Sequence, residues 1–268
     1  MRLMGIAESG VRAQQLALDT NANNIANVNT PGFKSKRVDF AETLSAQQAG
    51  GSGTRDTGAV GAGAEGTAES VKGLAVGSGV TYAGISSDLG QGMLVETGNP
   101  LDLAIDGEGY FQVELPDGQI GYTRVGSFRL DQEGRLVNAE GYPLYPQVVV
   151  PTEASDLAVG TDGKLRADIN GQIKELGQLN LAQFPNEAGL LDNGRGVFLA
   201  TEGSGTTQVG TAGEGDFGLI RAQSLEQSNV DLATEMTDLV QIQRAYQVNA
   251  RLIKDGDEMW GIVNSLRR

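Results

Sequence analysis

Two stretches at opposite ends of this chain carry an apolar residue at every seventh position, and that spacing commits each end to a helix with one apolar seam. The N-terminal seam is Met4, Val11, Leu18 and Ile25. The C-terminal seam is Leu225, Leu232, Leu239, Tyr246, Ile253 and Trp260, with Met236 widening the stripe. A repeat of seven keeps one face of a helix turned toward a partner helix, which is the pattern of a coiled coil. The ends are therefore expected to pair with each other and with copies of the same chain, and self-assembly is the expected function.

Local signals bound the two helices. The first reads as helical from Arg2 to about Val28, roughly 40 Å at ~1.5 Å per residue, and Pro31-Gly32 stops it because the residue before proline leaves the helical region. Asn21, Asn23, Asn24, Asn27 and Asn29 crowd its last turns. They fit either a fraying C-terminus or a polar ladder between subunits. The second helix is expected from Leu225 to Leu266, capped near Ser228-Asn229 and bent at Gly256. A β domain of about 120 residues has a radius of gyration near ~14 Å, so part of a ~60 Å helix must project from it, where neighbours can cover its apolar face.

Between the helices the pattern changes twice. Gly50 to Gly66 is rich in glycine with Val60 its one large apolar residue, the composition of a linker or long loop. From Leu101 to about Ile220 short strand-like runs flank Pro116-Asp117-Gly118, Asp131-Gln132-Glu133-Gly134, Asp162-Gly163 and Asn170-Gly171. Those are hairpin signals, and without intervening helical patterns they imply antiparallel pairing in a barrel or sandwich. The fold class is mixed α and β: long N- and C-terminal helices pairing as a coiled coil, with a central antiparallel all-β domain. The expected organisation is a terminal helical assembly domain of 1–46 with 221–268, a Gly-rich and extended connection at 47–97, and a β domain at 98–220.

Composition removes much chemistry. The chain has no Cys and no His, so it lacks thiol nucleophiles, thiolate metal sites and the commonest general base. Its net charge of -14 is uneven. Residues 1–37 carry Arg2, Arg12, Lys34, Lys36 and Arg37 against Glu8 and Asp19, a balance of +3, which leaves -17 on the remainder. An acidic body argues against nucleic acid or an anionic membrane as partner, and no run of 18 apolar residues argues against membrane insertion. The opening residues lack the apolar run of a secretory signal, so on its residues alone the chain reads as cytosolic. Gly213 to Gly218 matches GxGxxG, but Glu214 and Asp216 would repel phosphate and a tight turn is the better reading. Asp106-Gly107-Glu108-Gly109 and Asp131 to Gly134 likewise read as turns between short strands rather than calcium or glycosidase sites. No catalytic residue, metal site or cofactor is expected.

Three blocks, in order, carry a resemblance. The first is NNIANVNTPGFK, with Asn23, Asn24, Ile25, Ala26, Asn27, Asn29, Thr30, Pro31, Gly32, Phe33 and Lys34 as its signature. The second runs from Gly98 to Pro146, and the third, LEQSNVDLATEMTDLVQIQRAY, from Leu225 to Tyr246. Together they resemble the flagellar rod, hook and basal-body axial proteins. The resemblance implies a structural subunit of the distal rod, polymerising helically into a hollow, torque-transmitting shaft. It also implies a place in the basal body outside the cytoplasmic membrane and export through the flagellum's own channel without a cleaved signal. Implied partners are copies of the chain, proximal rod, hook and surrounding ring proteins, and the export apparatus. The alternatives are a proximal rod or hook subunit and, from a different class, an exported peptidoglycan hydrolase using paired acids of the β region.

Overall fold

The computed structural model describes residues 2–43, 79–169 and 171–266. The loop expected at Gly50 to Gly66, and most of the 47–97 connection before residue 79, lie outside these. The chain divides into two compact units, one of Met1–Ala17, Val38–Gly84 and Ile242–Arg268, the other of Leu18–Arg37 and Ile85–Gln241. Two helices, α1 (Arg2–Ala26) and α2 (Leu232–Leu266), stand at the two ends of the described sequence, and the elements between them are strands and two short 3-10 turns. Among the described residues no helix is long and apolar enough to cross a membrane.

The larger unit is built on an antiparallel sheet whose strands lie in the order Leu191–Asp192, Val197–Leu199, Ile120–Thr123, Tyr110–Glu114, Asn180–Gln183, Gln208–Thr211. Leu144–Tyr145 also pairs with Tyr110–Glu114. A second sheet of three strands runs Ala154–Val159, Lys164–Ile169, Gln172–Gln178. Tyr110–Glu114 shows why a short strand here is buried without a break as far as Val113. Successive side chains point to opposite faces, and both faces are covered. Phe111 and Val113 enter a core with Leu103, Phe128, Leu181 and Ile220, while Tyr110 enters a second cluster with Tyr122, Phe184 and Phe198. Edge-to-face rings lock each side, Phe111 on Phe128 at 5.4 Å and Tyr122 on Phe184 at 4.7 Å between centroids.

The expected hairpins are present. At Pro116-Asp117-Gly118 the Leu115 amide donates to the Gln119 carbonyl at 2.9 Å, the Asp117 carboxylate accepts from the Gln119 amide, and Gly118 sits at φ +78°, where a side chain would be strained. Asp131 closes the next turn by accepting from the Glu133 and Arg135 amides. Ala154–Val159 and Lys164–Ile169 pair across Asp162-Gly163. Lys164–Ile169 and Gln172–Gln178 pair across the following turn, whose Asn170 lies outside the described residues. The glycines of 213–218 form a tight turn, with the Gly213 amide donating to the Gly218 carbonyl.

The second helix departs from expectation at its start. Leu225 is in the strand Ser224–Glu226, opposite Val95 of Leu94–Glu96. The heptad spacing continues through it by coincidence of side chains, but the backbone of 224–227 is taken by this pairing and by the Gln227 amide donating to Met93. The cap is Asp231 rather than Ser228-Asn229. Its carboxylate accepts from the Ala233 amide at 3.1 Å and the Thr234 hydroxyl at 2.6 Å, and Asn229 is engaged elsewhere. As expected, α2 runs through Gly256 to Leu266.

In the smaller unit the first turns of α1 lie against the second half of α2. Gly10 packs on Asn249, Ala7 and Gly256 are buried, and a Cβ on Gly256 would sit 3.5 Å from the Met4 side chain. Ser9 accepts from the Val80 amide, and the Thr43 amide donates to Gly79, closing one end of a ribbon formed by Lys36–Glu42 and Val80–Ser87.

Candidate functional site

Where α1 stops, the Asn-rich signature folds into a compact loop. The amides of Asn27, Thr30 and Phe33 donate to the carbonyls of Asn23, Asn27 and Thr30, and the Thr30 hydroxyl donates to the Asn27 side chain. Gly32 takes φ +67° at the turn forced by Pro31, and its amide donates to the Glu226 carbonyl at 2.8 Å. A side chain there would press into Val125. The signature therefore ends by handing its chain to the strand that precedes α2.

Lys34 completes that handover. Its ammonium lies 2.5 Å from the Glu226 carboxylate, and the two side chains are 2% and 0% exposed. The ammonium also donates to the Gly90 carbonyl, and the Gly92 amide donates to the same carboxylate, both at 2.8 Å. Arg124 stands 3.8 Å from the other carboxylate oxygen, donates to the Gly107 carbonyl, and rests 5.0 Å from the Tyr110 ring centre. Burial pushes the Lys34 ammonium below its ordinary value, against which the Glu226 charge and hydrogen bond act. Such a pair adds little net stability over an apolar equivalent, yet removing one partner leaves the other buried and unmatched at a cost of about 3–5 kcal/mol. Its consequence is specificity of position.

Two of the five asparagines, Asn21 and Asn24, find their partners within the chain. Asn21 and Asn24 are buried, and both amides donate to Glu235 in the first turns of α2, at 2.5 and 3.0 Å. Asn24 also exchanges two hydrogen bonds with the Lys36 backbone, at 2.8 and 2.9 Å. Burial pushes the Glu235 carboxyl up, and the Asn24 and Asn21 amides pull it back. Asn229 joins three segments, accepting from the Ser35 amide and donating to the carbonyls of Asp88 and Gly90. Beside the loop lies a cleft of about 470 Å³ walled by Pro31, Phe33, Val125 and Phe198, with the ion pairs Lys36–Asp192 and Arg195–Glu140 among its lining residues.

The seam residues divide. Met4, Val11, Leu18 and Ile25 on α1 and Leu239 and Ile253 on α2 are half-buried, as is Leu225 in its strand. Leu232, Met236, Tyr246 and Trp260 are exposed. A second stripe was overlooked: Leu252, Met259 and Leu266, again seven apart, are all exposed, with Val248 one turn before them. Its spacing was present in the sequence. Glu226 and Arg124 were not singled out either, Asn229 was expected only as a helix cap, and no local pattern announces a lysine and a glutamate that meet 192 positions apart.

The acidic pairs are used in structure. Asp106 takes a two-pronged contact from Arg221, Glu108 accepts from Gln183, and Asp131 pairs with Arg135. Among the described residues no group of acidic side chains is placed to hold a metal ion.

Three family descriptions match successive parts of the chain: flagella basal body rod protein at residues 4–34, flagellar hook protein FlgE/F/G D1 domain at 104–167, and flagellar basal body rod FlgEFG protein C-terminal at 221–266. The first and third contain the signature loop and Glu226 with α2. The chain is similar to the flagellar basal-body rod protein FlgG of Agrobacterium fabrum, 39% identical over 267 residues and 98% of each chain. It is similar to the FlgG of Caulobacter vibrioides, 36% identical over the whole of both chains, and to that of Bacillus subtilis, 38% identical over 97% of each. These relatives are structural proteins, which disposes of the hydrolase alternative. The chain belongs to the flagellar basal-body rod protein family, as a structural subunit of the distal rod and not an enzyme.

Proposed function

We propose that this chain polymerises head to tail into a hollow helical shaft, its terminal helices pairing with those of neighbouring copies as coiled coils around a central channel and its β domain forming the outer layer. In this reading the parts are a terminal assembly domain of 1–46 with 221–268, a connection at 47–97 and a β domain at 98–220. Heterologous contacts whose rotation does not close a ring grow without limit, as a shaft requires. Torque then passes through the packed lattice. Proximal rod below, hook above, ring proteins around the shaft and the export apparatus at its base are the partners this role calls for.

The observation that carries the reading is the apolar surface of α2. A helix of 35 residues leaves Leu232, Met236, Tyr246, Leu252, Met259 and Trp260 in water. Exposed apolar surface of this extent marks a protein contact. Neighbouring helices have the complementary stripe by construction, since each copy brings the same one.

The test is Leu239→Asp and, separately, Ile253→Asp in the full chain. Burying a Leu or Ile contributes roughly 1.5–3 kcal/mol, a buried unpaired charge costs more, and every subunit repeats the loss. Electron microscopy should show no polymer, while circular dichroism shows the β domain intact. Normal shafts from either variant would refute the seam.

A further inference from the structure

We propose that the recess beside Arg124, inside the larger unit, is a binding site for a basic α-amino acid, whose carboxylate meets the Arg124 guanidinium while its ammonium groups meet Asp88, Glu108 and Glu187. The polymer reading neither requires this site nor depends on it.

The recess has a volume of about 500 Å³ and is lined by these four side chains, with Leu89 and Ala188 among its apolar parts. That is within the ~300–1,000 Å³ common to small-molecule sites. Four distant parts of the sequence build it. Asp88 and Leu89 follow the strand Val80–Ser87, Glu108 lies between Leu103–Asp106 and Tyr110–Glu114, Arg124 directly follows Ile120–Thr123, and Glu187 opens a short 3-10 turn.

Arg124 supplies the end that takes an anion. It is 4% exposed, and its Nη1 donates to the Gly107 carbonyl at 2.8 Å, but its Nε has no hydrogen-bond partner among the described residues. The carboxylate within its reach, Glu226, stands 3.8 Å from Nη1 and is already held by Lys34 at 2.5 Å. A buried guanidinium edge without an acceptor is costly, and a carboxylate taking two parallel N–H bonds is the acceptor whose shape it matches.

The acidic side chains supply the end that takes a cation. Asp88, Glu108 and Glu187 form no ion pair among the described residues. One oxygen of Asp88 accepts from the Gly90 amide and one of Glu108 from the Gln183 side chain, which leaves each the other oxygen. Lys34 and Arg124 against Glu226 leave a single positive charge, so the three carboxylates exceed what the buried cations need. Among the described residues no acidic group is placed to hold a metal ion, so the surplus suits an organic cation. A simple anion is repelled by the carboxylates, and a simple amine is opposed by Arg124. One carboxylate and two ammonium groups on a methylene chain satisfy both ends, with the chain against Leu89 and Ala188.

Isothermal titration calorimetry on the full chain compares L-lysine with two molecules that each lack part of it, cadaverine without the carboxylate and hexanoate without the amines. L-lysine should bind with a Kd below about 1 mM, and the other two at least about tenfold more weakly. L-lysine that binds more weakly than that, or no more tightly than cadaverine, overturns the proposal, since the recess is then only a patch of negative charge. Amide NMR places the ligand: the signals of Gly90, Gln91, Gly107 and Ala188 should move, and shifts that spare all four overturn the site. Glu108→Gln and Glu187→Gln should each weaken L-lysine about threefold or more, and unchanged affinity in both refutes the acidic end. Arg124→Lys keeps the charge but removes the fork, and should weaken L-lysine at least about tenfold with circular dichroism unchanged. Undiminished binding by that variant refutes the anion end. Where this buried substitution unfolds the unit, the ligand series and the two glutamine variants decide.

Discussion

Phe111 and Leu252 are both large apolar residues within regular elements, and they have opposite surroundings. Phe111 is 1% exposed, wedged against Phe128 in a core that the chain completes by itself. Leu252 is 55% exposed on α2, in a stripe that stays exposed among the described residues. Phe111 thus serves the fold of its own chain, whereas in the proposed assembly Leu252 serves a contact with copies. If that contrast is sound, truncating the two residues has opposite readouts. Phe111→Ala should destabilise the monomer by about 3–5 kcal/mol in urea unfolding. Leu252→Ala should leave the monomer within about 0.5 kcal/mol of the parent and weaken the polymer instead, seen as a raised critical concentration. Equal effects on the monomer would abolish the distinction between the regions.

The signature loop lies between these extremes, because its buried groups are charged. Lys34→Met removes the cation that meets Glu226 and leaves Arg124 at 3.8 Å as the remaining positive neighbour. A loss of about 3 kcal/mol is expected, toward the low end for one member of a buried pair, since Arg124 and the Gly92 amide still face the carboxylate. The urea midpoint should fall with an unchanged slope, meaning that the unit still unfolds as one. A change below about 0.5 kcal/mol would show the loop to be incidental to the fold, and the family signature would then need a purely intersubunit explanation.

Those two regions were not equally legible. The β hairpins could be read from Pro116-Asp117-Gly118 and Asp131 to Gly134 because turn chemistry is local: a carboxylate two residues upstream and a glycine at positive φ suffice. The end of α1 was readable for the same reason, at Pro31-Gly32. The start of α2 was not. Leu225 satisfies the heptad, but its backbone is claimed by Val95, more than a hundred residues earlier, and periodicity carries no information about such a partner. The contacts of Asn21 and Asn24 with Glu235 were hidden in the same way. Five asparagines near one another suggested a polar role, but the acceptor that decides it, Glu235, is 211 positions from Asn24. The second α2 stripe at Leu252, Met259 and Leu266 was visible in principle, and it was obscured because a first stripe already explained the helix.

The smallest expected effect is one of pH, and it separates the Asp231 cap of α2 from the Glu235 contacts beside it. Hydrogen bonds from the Thr234 hydroxyl and the Ala233 amide hold the Asp231 carboxyl below its ordinary 3.8. A carboxyl lowered by folding contributes stability that is fully present above the unfolded value and lost as pH falls through the folded one. Glu235 is displaced the other way, pushed by burial above its ordinary 4.5, with Asp238 and Asp231 adding to the push. Its contribution is fully present below the unfolded value and lost as pH rises through the folded one. Acidification from neutral pH therefore first protonates Glu235 and favours the order of the first turns of α2, and only below about 4 does loss of the Asp231 cap begin to oppose it. Amide exchange at Glu235 to Leu239, corrected for its intrinsic pH dependence, should show protection rising and then falling. Asp231→Ala should lower protection at neutral pH and remove the fall on the acid side. Glu235→Gln should remove the rise. A monotonic profile in the parent would mean that neither carboxyl is coupled to the order of these turns, and the helix start would then be set by the strand pairing at Ser224–Glu226 alone.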